Sequence, residues 1–297
     1  MLKHFFAFAI GLSLLVPQPS VAGAQRPAPT KEQIQQYLKT QADKLHPQHG
    51  KITLKDGLIT LNLPEDFGYL TPDETEILLH NIWGNPSGSH TDGAIVPTKV
   101  SITSRESWGI ILNYMDDGYV KDDDAEKIDY NDLLSKMKEQ SQKQNEKRHD
   151  AGYPPLNLVG WAEEPHYDKA SHKLYWAREL ETPGAPHELN YDIRALGRNG
   201  VLVMSIVAGM DQLPMVQKNK DKILSFVEFN PAHRYADFDP SVDKVAAYGM
   251  AAMILGFAAA KVGLFKGLFL ALLAFKKFVI LGALAVVAFF KKLFARK

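Results

Sequence analysis

Residues 188–207 read "ELNYDIRALGRNGVLVMSIV", and this stretch decides the fold. Its first part alternates with the two-residue period of a strand, placing Leu189, Tyr191, Ile193 and Ala195 on one face. Its last part, "VLVMSIV", is apolar almost throughout, which predicts a central strand covered on both sides. Asn199-Gly200 lies between the two and predicts a tight type I′ turn, whose central positions take positive φ. The pair is therefore antiparallel.

Two further strands lie upstream, over residues 156–161 and 172–181, with Leu174, Trp176 and Leu180 on one face of the second. Together the four form a meander. Downstream, Asp211 is placed to cap a helix ending in "ILSFVEF". Earlier in the chain, Asp56-Gly57 separates two alternating runs and predicts a hairpin. Thr30 with Gln33, and Thr71 with Glu74, have capping-box spacing, the second with Pro72 at the first helical position. Residues 108–114 read as a strand. The acidic stretch "DDGYVKDDDAEKID" suits a helix N-terminus, followed by a narrow stripe of Ala125, Ile128, Leu133 and Met137. The sum is an α+β fold, an antiparallel sheet with packed helices, plus a C-terminal transmembrane helix. As a pattern, the meander and closing helix resemble the small PsbP-like domains.

The two ends say where the domain works. A short positive start and an apolar run of about 12 residues precede Ala22-Gly23-Ala24, an A-x-A cleavage signal. Residues 1–24 read as a signal peptide for export to a bacterial periplasm. Residues 25–50 form a helical lead, and residues 51–239 the exported α+β domain. Residues 245–265 read as a transmembrane helix, and residues 266–297 as a lysine-rich amphipathic or second membrane segment. The whole chain carries a formal net charge of zero, yet its tail is basic, so the exported part is mildly acidic. No basic stripe with interleaved aromatics marks a nucleic-acid surface. There is no cysteine, which excludes disulfides, thiol nucleophiles and cysteine metal ligands.

"WGNPSG", "GYVKDDDAEKIDY", "GYPPLNLVGWAEEPHYD", "HKLYWARELE", "LNYDIRALGRNGVLV" and "FNPAHRYADFDPSVDKVAAYG" follow one another in this order. In them, from about Leu54 to the C-terminus, the chain resembles the uncharacterised membrane-anchored bacterial proteins of the domain-of-unknown-function 2167 family. The resemblance implies a membrane-anchored envelope protein. It brings no activity, cofactor or site.

The residues themselves offer a few candidates. His166 and His172, with Glu163, Glu164 and Asp168 nearby, supply the side chains of a zinc or acid–base site. Their spacing matches no zinc signature, and Pro165 with the following polar run predicts a strand–turn–strand instead. Glu163 and Glu164 are adjacent and point to opposite faces of a strand. The acidic stretch lacks the calcium-loop pattern. Ser205 has no nucleophile elbow around it. Arg178 and Arg194 are placed to pair with Asp192 or Glu179, or to present an anion site. Tyr235, Phe238 and Tyr248 are placed at the membrane interface or against the domain.

These observations point to a non-enzymatic binding or interaction module, with no cofactor and no metal, held at the inner membrane by a single pass. Its partners would be membrane lipid through the tail and an envelope protein. The rival reading is a periplasmic metal-dependent or carboxylate-based hydrolase using residues 160–181. The tail carries its own test. A single span leaves Lys291, Lys292, Arg296 and Lys297 in the cytoplasm, as the positive-inside rule prefers. A second span would bury Lys276 and Lys277 at roughly 2.5–3.5 kcal/mol each. A fluorescent protein fused after Lys297 should therefore glow. Phosphatase activity at that position, without fluorescence, would sink the single-span topology.

Overall fold

A computed structural model describes residues 30–256, apart from positions 86 and 105. The expected signal peptide, the lysine-rich segment and most of the expected membrane helix lie outside these residues. Among the described residues no helix is long and apolar enough to cross a membrane.

The chain runs α1 (Lys31–Ala42), β1 (Gly50–Leu54), β2 (Ile59–Leu63), β3 (Phe67–Leu70) and α2 (Pro72–Glu76), which continues as a wider turn over Ile77–Ile82. Then come β4 (Ala94–Pro97), β5 (Gly109–Met115), α3 (Tyr130–Asp150), β6 (Asn157–Asp168), β7 (Lys173–Glu181), β8 (Glu188–Leu196) and β9 (Val201–Gly209). Last are α4 (Leu213–Leu224), β10 (Val227–Phe229) and α5 (Met250–Leu255). Seven strands form one antiparallel sheet in the order β3-β4-β5-β9-β8-β7-β6. A small sheet has the order β1-β2-β10.

Strand β9 lies between β5 and β8, and its side chains are buried on both faces, as its composition requires. On the first face, Tyr191, Ile193, Met204, Ile206, Ile110 and Leu112 meet Ile59 and Leu61 of the small sheet, Val216 and Ile223 of α4, and Phe226. On the second face, Val207, Ile111, Ala94 and Val96 meet Leu38 of α1 and Leu78, Leu79, Ile82 and Trp83 after α2. Both capping boxes form as the sequence predicts, at Thr30–Gln33 and Thr71–Glu74. The β1–β2 hairpin forms too. Lys55, Asp56 and Gly57 all take positive φ in its loop.

Several local expectations fail for physical reasons. The β8–β9 connection is a four-residue loop, because Leu196 pairs with Val201. Neither Asn199 nor Gly200 has positive φ. Gly200 is needed for space instead: a Cβ there would lie 2.1 Å from the carbonyl oxygen of Met115. Asp211 does not cap α4; it sits in a short 3-10 turn over Met210–Gln212, where Gln212 accepts the Gly209 N–H. Helix α3 begins at Asp129, which accepts from the N–H groups of Asn131 and Asp132. The acidic residues before it are loop, apart from Glu126 in a short 3-10 turn over Ala125–Lys127. Strand β6 runs past Trp161 and through Pro165, tolerating the proline on a sheet edge with three register shifts. Packing also continues past residue 239: Val245 bridges to Tyr119, and Met250, Met253 and Ile254 of α5 are buried.

Gly200→Ala should cost about 1–3 kcal/mol, since the methyl group meets backbone that cannot rotate away. Asn199→Ala should stay within about 0.5 kcal/mol, because its φ needs no special residue. Urea unfolding of both variants checks the pair. A cost for Asn199→Ala comparable to that of Gly200→Ala would restore the positive-φ turn.

Candidate functional site

The four candidate residues of the 160–181 region fall into separate surroundings. Glu163 accepts a hydrogen bond from the Tyr191 hydroxyl at 3.1 Å and from Gln217 Nε2 at 2.9 Å, and lies 3.6 Å from Lys220 Nζ. His166 packs beside the Tyr175 ring, 5.2 Å between centroids. Asp168 closes the β6–β7 turn, accepting from Ser171 Oγ and the Ala170 N–H, and these bonds hold its carboxyl below the usual range. His172 takes φ 52° at the end of that turn. Its ring packs 4.2 Å from that of Tyr235, and its Nδ1 is 3.3 Å from the Tyr167 hydroxyl. Each side chain serves its own neighbours. Among the described residues no group of three His, Asp or Glu is placed to hold a metal.

The segment after β10 docks back on the domain. Tyr119 stacks on Tyr235 and Phe238, and the Tyr235 hydroxyl donates to the Val120 carbonyl at 3.0 Å. Arg198 grips Asp243 through Nε and Nη2, at 2.7 and 3.1 Å. The Tyr248 hydroxyl donates to Asp117 and the Met250 N–H to Asp124. The acidic loop expected to open a helix therefore receives the end of the described chain.

A second constellation lies on the second face of the sheet, on β7 and β8. There the alternation places Glu188, Asn190, Asp192 and Arg194 opposite to the apolar core face, beside Trp176 and Arg178. The stripe is buried: Asp192 is 1% exposed, Asn190 3%, Arg194 5% and Trp176 1%. Asp192 sits between two guanidinium groups. One oxygen accepts from Arg194 Nη1 at 3.2 Å and Ser205 Oγ at 2.8 Å; the other accepts from Arg178 Nη2. Arg194 also lies 4.8 Å above the Trp176 ring. Burial alone would raise the Asp192 carboxyl, but Arg178, then Arg194, then Ser205 and the Arg178 hydrogen bond more than offset it, so it stays below the ordinary aspartate value. Burial lowers Arg194, and Asp192 partly restores it.

The sequence offers Asp192 or Glu179 as the partner of Arg178 and Arg194, and the structure pairs both arginines with Asp192. What it does not predict is the surplus. Trp176 Nε1, Arg178 Nε, Arg194 Nε and Asn190 Oδ1 are buried with no hydrogen-bond partner among the described residues. One signal was present: a polar stripe on a strand flanked by two apolar strands has no open water to face.

Fold and site together define an α+β protein with one buried, ion-paired stripe on its antiparallel sheet. Residues 46–287 match the profile of the family described as "Protein of unknown function (DUF2167)", and the chain belongs to that family. No curated protein matches it. Among solved structures it is similar to cyanobacterial PsbP (CyanoP) from Synechocystis sp. PCC 6803, at 10% identity, covering 62% of this chain and 94% of that one, with a TM-score of 0.36. It is similar as well to the Ran-binding protein Mog1p of Saccharomyces cerevisiae, at 11% identity, 62% and 96% coverage and a TM-score of 0.30.

Asp192→Asn leaves two buried guanidinium groups without their carboxylate and should cost about 3–5 kcal/mol in urea unfolding. The pH dependence has a defined sign. A depressed folded pKa gives stability that is present above the unfolded aspartate value, ~3.9, and is lost as pH falls through the folded value. The wild-type protein should lose this contribution below about pH 4, and Asp192→Asn should lack that part of the slope. An unchanged slope in the variant would mean that the Asp192 carboxyl titrates alike in the folded and unfolded chain, so that the two arginines do not hold it down.

Proposed function

We propose that this protein is a non-enzymatic binding module of the bacterial envelope, held at the inner membrane by its C-terminal region with its folded domain in the periplasm. The binding reading rests on one observation: buried N–H donors of Trp176, Arg178 and Arg194 that no described residue satisfies. A buried donor without an acceptor costs about 1–3 kcal/mol, and a fold keeps such groups where something else completes them. The second face of β7 and β8 is then the surface that receives a ligand or a partner. The hydrolase reading has less behind it. Glu163, Asp168 and His172 are each engaged in hydrogen bonds with neighbouring side chains or turn backbone. Envelope placement is supported by the A-x-A signal near the start and by the apolar, lysine-punctuated tail.

Native mass spectrometry of the full-length protein, released from membranes in a maltoside detergent, tests the binding reading. The wild type should carry a non-covalent adduct, and Arg178→Gln should reduce its occupancy about tenfold or more, as expected for loss of a charge-assisted hydrogen bond. A bare wild-type protein, or an adduct indifferent to Arg178→Gln, would overturn this assignment of the site.

A further inference from the structure

We infer that the polar half of the sheet's second face holds a singly charged oxyanion, a carboxylate or a phosphodiester, between Trp176, Arg178 and Arg194. The inference rests on the binding reading above and names the chemistry of the ligand.

The leftover groups are mostly donors. An indole N–H and a guanidinium N–H can donate and cannot accept. A cation or an apolar molecule would leave all three as they are. Only an acceptor completes them, and two oxygens on one centre suit neighbouring N–H groups best. The sheet places the three side chains together. Trp176 and Arg178 are next-but-one neighbours on β7 and share a face. Asp192 lies directly opposite Trp176, and Arg194 is the next residue on that face of β8. Asn190 lies opposite Arg178. Its amide can turn to offer a further donor, because its oxygen also lacks a partner.

Charge sets the valence. Two guanidinium groups against one aspartate leave one positive charge at the site. Asp192 already takes three donors, from Arg178, Arg194 and Ser205, and both Nε–H groups remain unbonded. Glu188, further along the stripe, lies near Arg148, one charge of each sign. A carboxylate or a phosphodiester carries the single negative charge that neutralises this surplus. A doubly charged anion would leave a buried negative charge of its own.

Geometry also supplies a rigid cradle and a way in. The Trp176 ring lies under Arg194, and Asp192 bridges both arginines, so the donors are fixed before any ligand arrives. The Arg178 side chain is 20% exposed, against 7% for Arg194, so the entrance lies on the Arg178 side.

The test uses ¹⁵N-labelled full-length protein in maltoside micelles. The Trp176 indole N–H and the Arg178 and Arg194 Nε–H resonances are assigned by their loss in Trp176→Phe, Arg178→Lys and Arg194→Lys. Sodium acetate, dimethyl phosphate and sodium chloride are titrated at matched ionic strength, and short-chain phosphatidylglycerol is added in a separate arm. Acetate or dimethyl phosphate should move all three resonances together and saturably, with chloride inert, and Arg178→Lys should weaken the midpoint at least tenfold. Movement with phosphatidylglycerol alone places the oxyanion on a lipid headgroup; movement with the free ions places it on a soluble molecule. Resonances that stay fixed in every arm, in a protein whose remaining spectrum is folded, overturn the inference, and so does an equal response to chloride. A fixed spectrum beside a persistent, Arg178-dependent adduct in native mass spectrometry would sink the oxyanion and leave the binding reading standing. Should neither the adduct nor the shifts be seen, both fall.

Discussion

A strand with apolar side chains on both faces cannot lie at a surface, and β9 is such a strand. It demands a cover on each side of the sheet. The small sheet, α4 and Phe226 supply the first. Helix α1 and the turns after α2 supply the second, but in their cluster they reach only as far as Val207 and Ile111. Beyond that limit the second face carries Val203 and Val201 of β9, still buried, and on β7 and β8 a polar stripe set among Leu174, Trp176 and Leu180. The candidate site therefore arises beyond the reach of the α1 cluster, yet still buried, with Tyr248 close enough to Arg194 to act on it. Its position is a by-product of how β9 is buried.

The stripe on that face is an expensive solution. An apolar set of similar volume is often as stable as a buried ion pair or more so, because two desolvated charges seldom recover in attraction what they lose in hydration. Asp192, Arg178 and Arg194 thus do not read as a device for stability. Their removal one at a time is destabilising all the same, since each leaves the others uncompensated. The same low-dielectric surroundings that penalise an unpaired group strengthen any bond made to it. Specific recognition fits such a place better than scaffolding does.

The sequence made legible what depends on near neighbours. Strands β8 and β9, both capping boxes and the Asp56-Gly57 hairpin follow from period, spacing and turn chemistry within a few residues. That Arg178 and Arg194 meet a carboxylate was legible in part: the sequence left Asp192 and Glu179 as alternatives, and the β7–β8 register puts Asp192 on their face. Strands β3, β4 and β10 were not, since three or four residues carry no period, and "SFVEF" reads equally well as the end of a helix. The turn at Gly200 was placed correctly and explained wrongly: its constraint is the Met115 carbonyl, which is distant in sequence. The histidines and carboxylates around residue 166 drew the eye by density. Neighbouring residues on a bulged edge strand need not converge, and Glu163, Asp168 and His172 each face different partners.

Strand β2 pairs with both β1 and β10, and the Thr60 hydroxyl donates to the Asn230 side chain across 170 residues of sequence. Strand β5 likewise waits for β9. A chain that emerges from its N-terminus thus cannot complete either sheet until almost the whole described region has followed. Contacts so distant in sequence make folding slow, because a long loop must close before they repay its entropy. The β1–β2 and β3–β4–β5 pairs need no later residue, but one edge of β2 and one edge of β5 stay open during that interval, and an open apolar strand edge is a template for association with other chains.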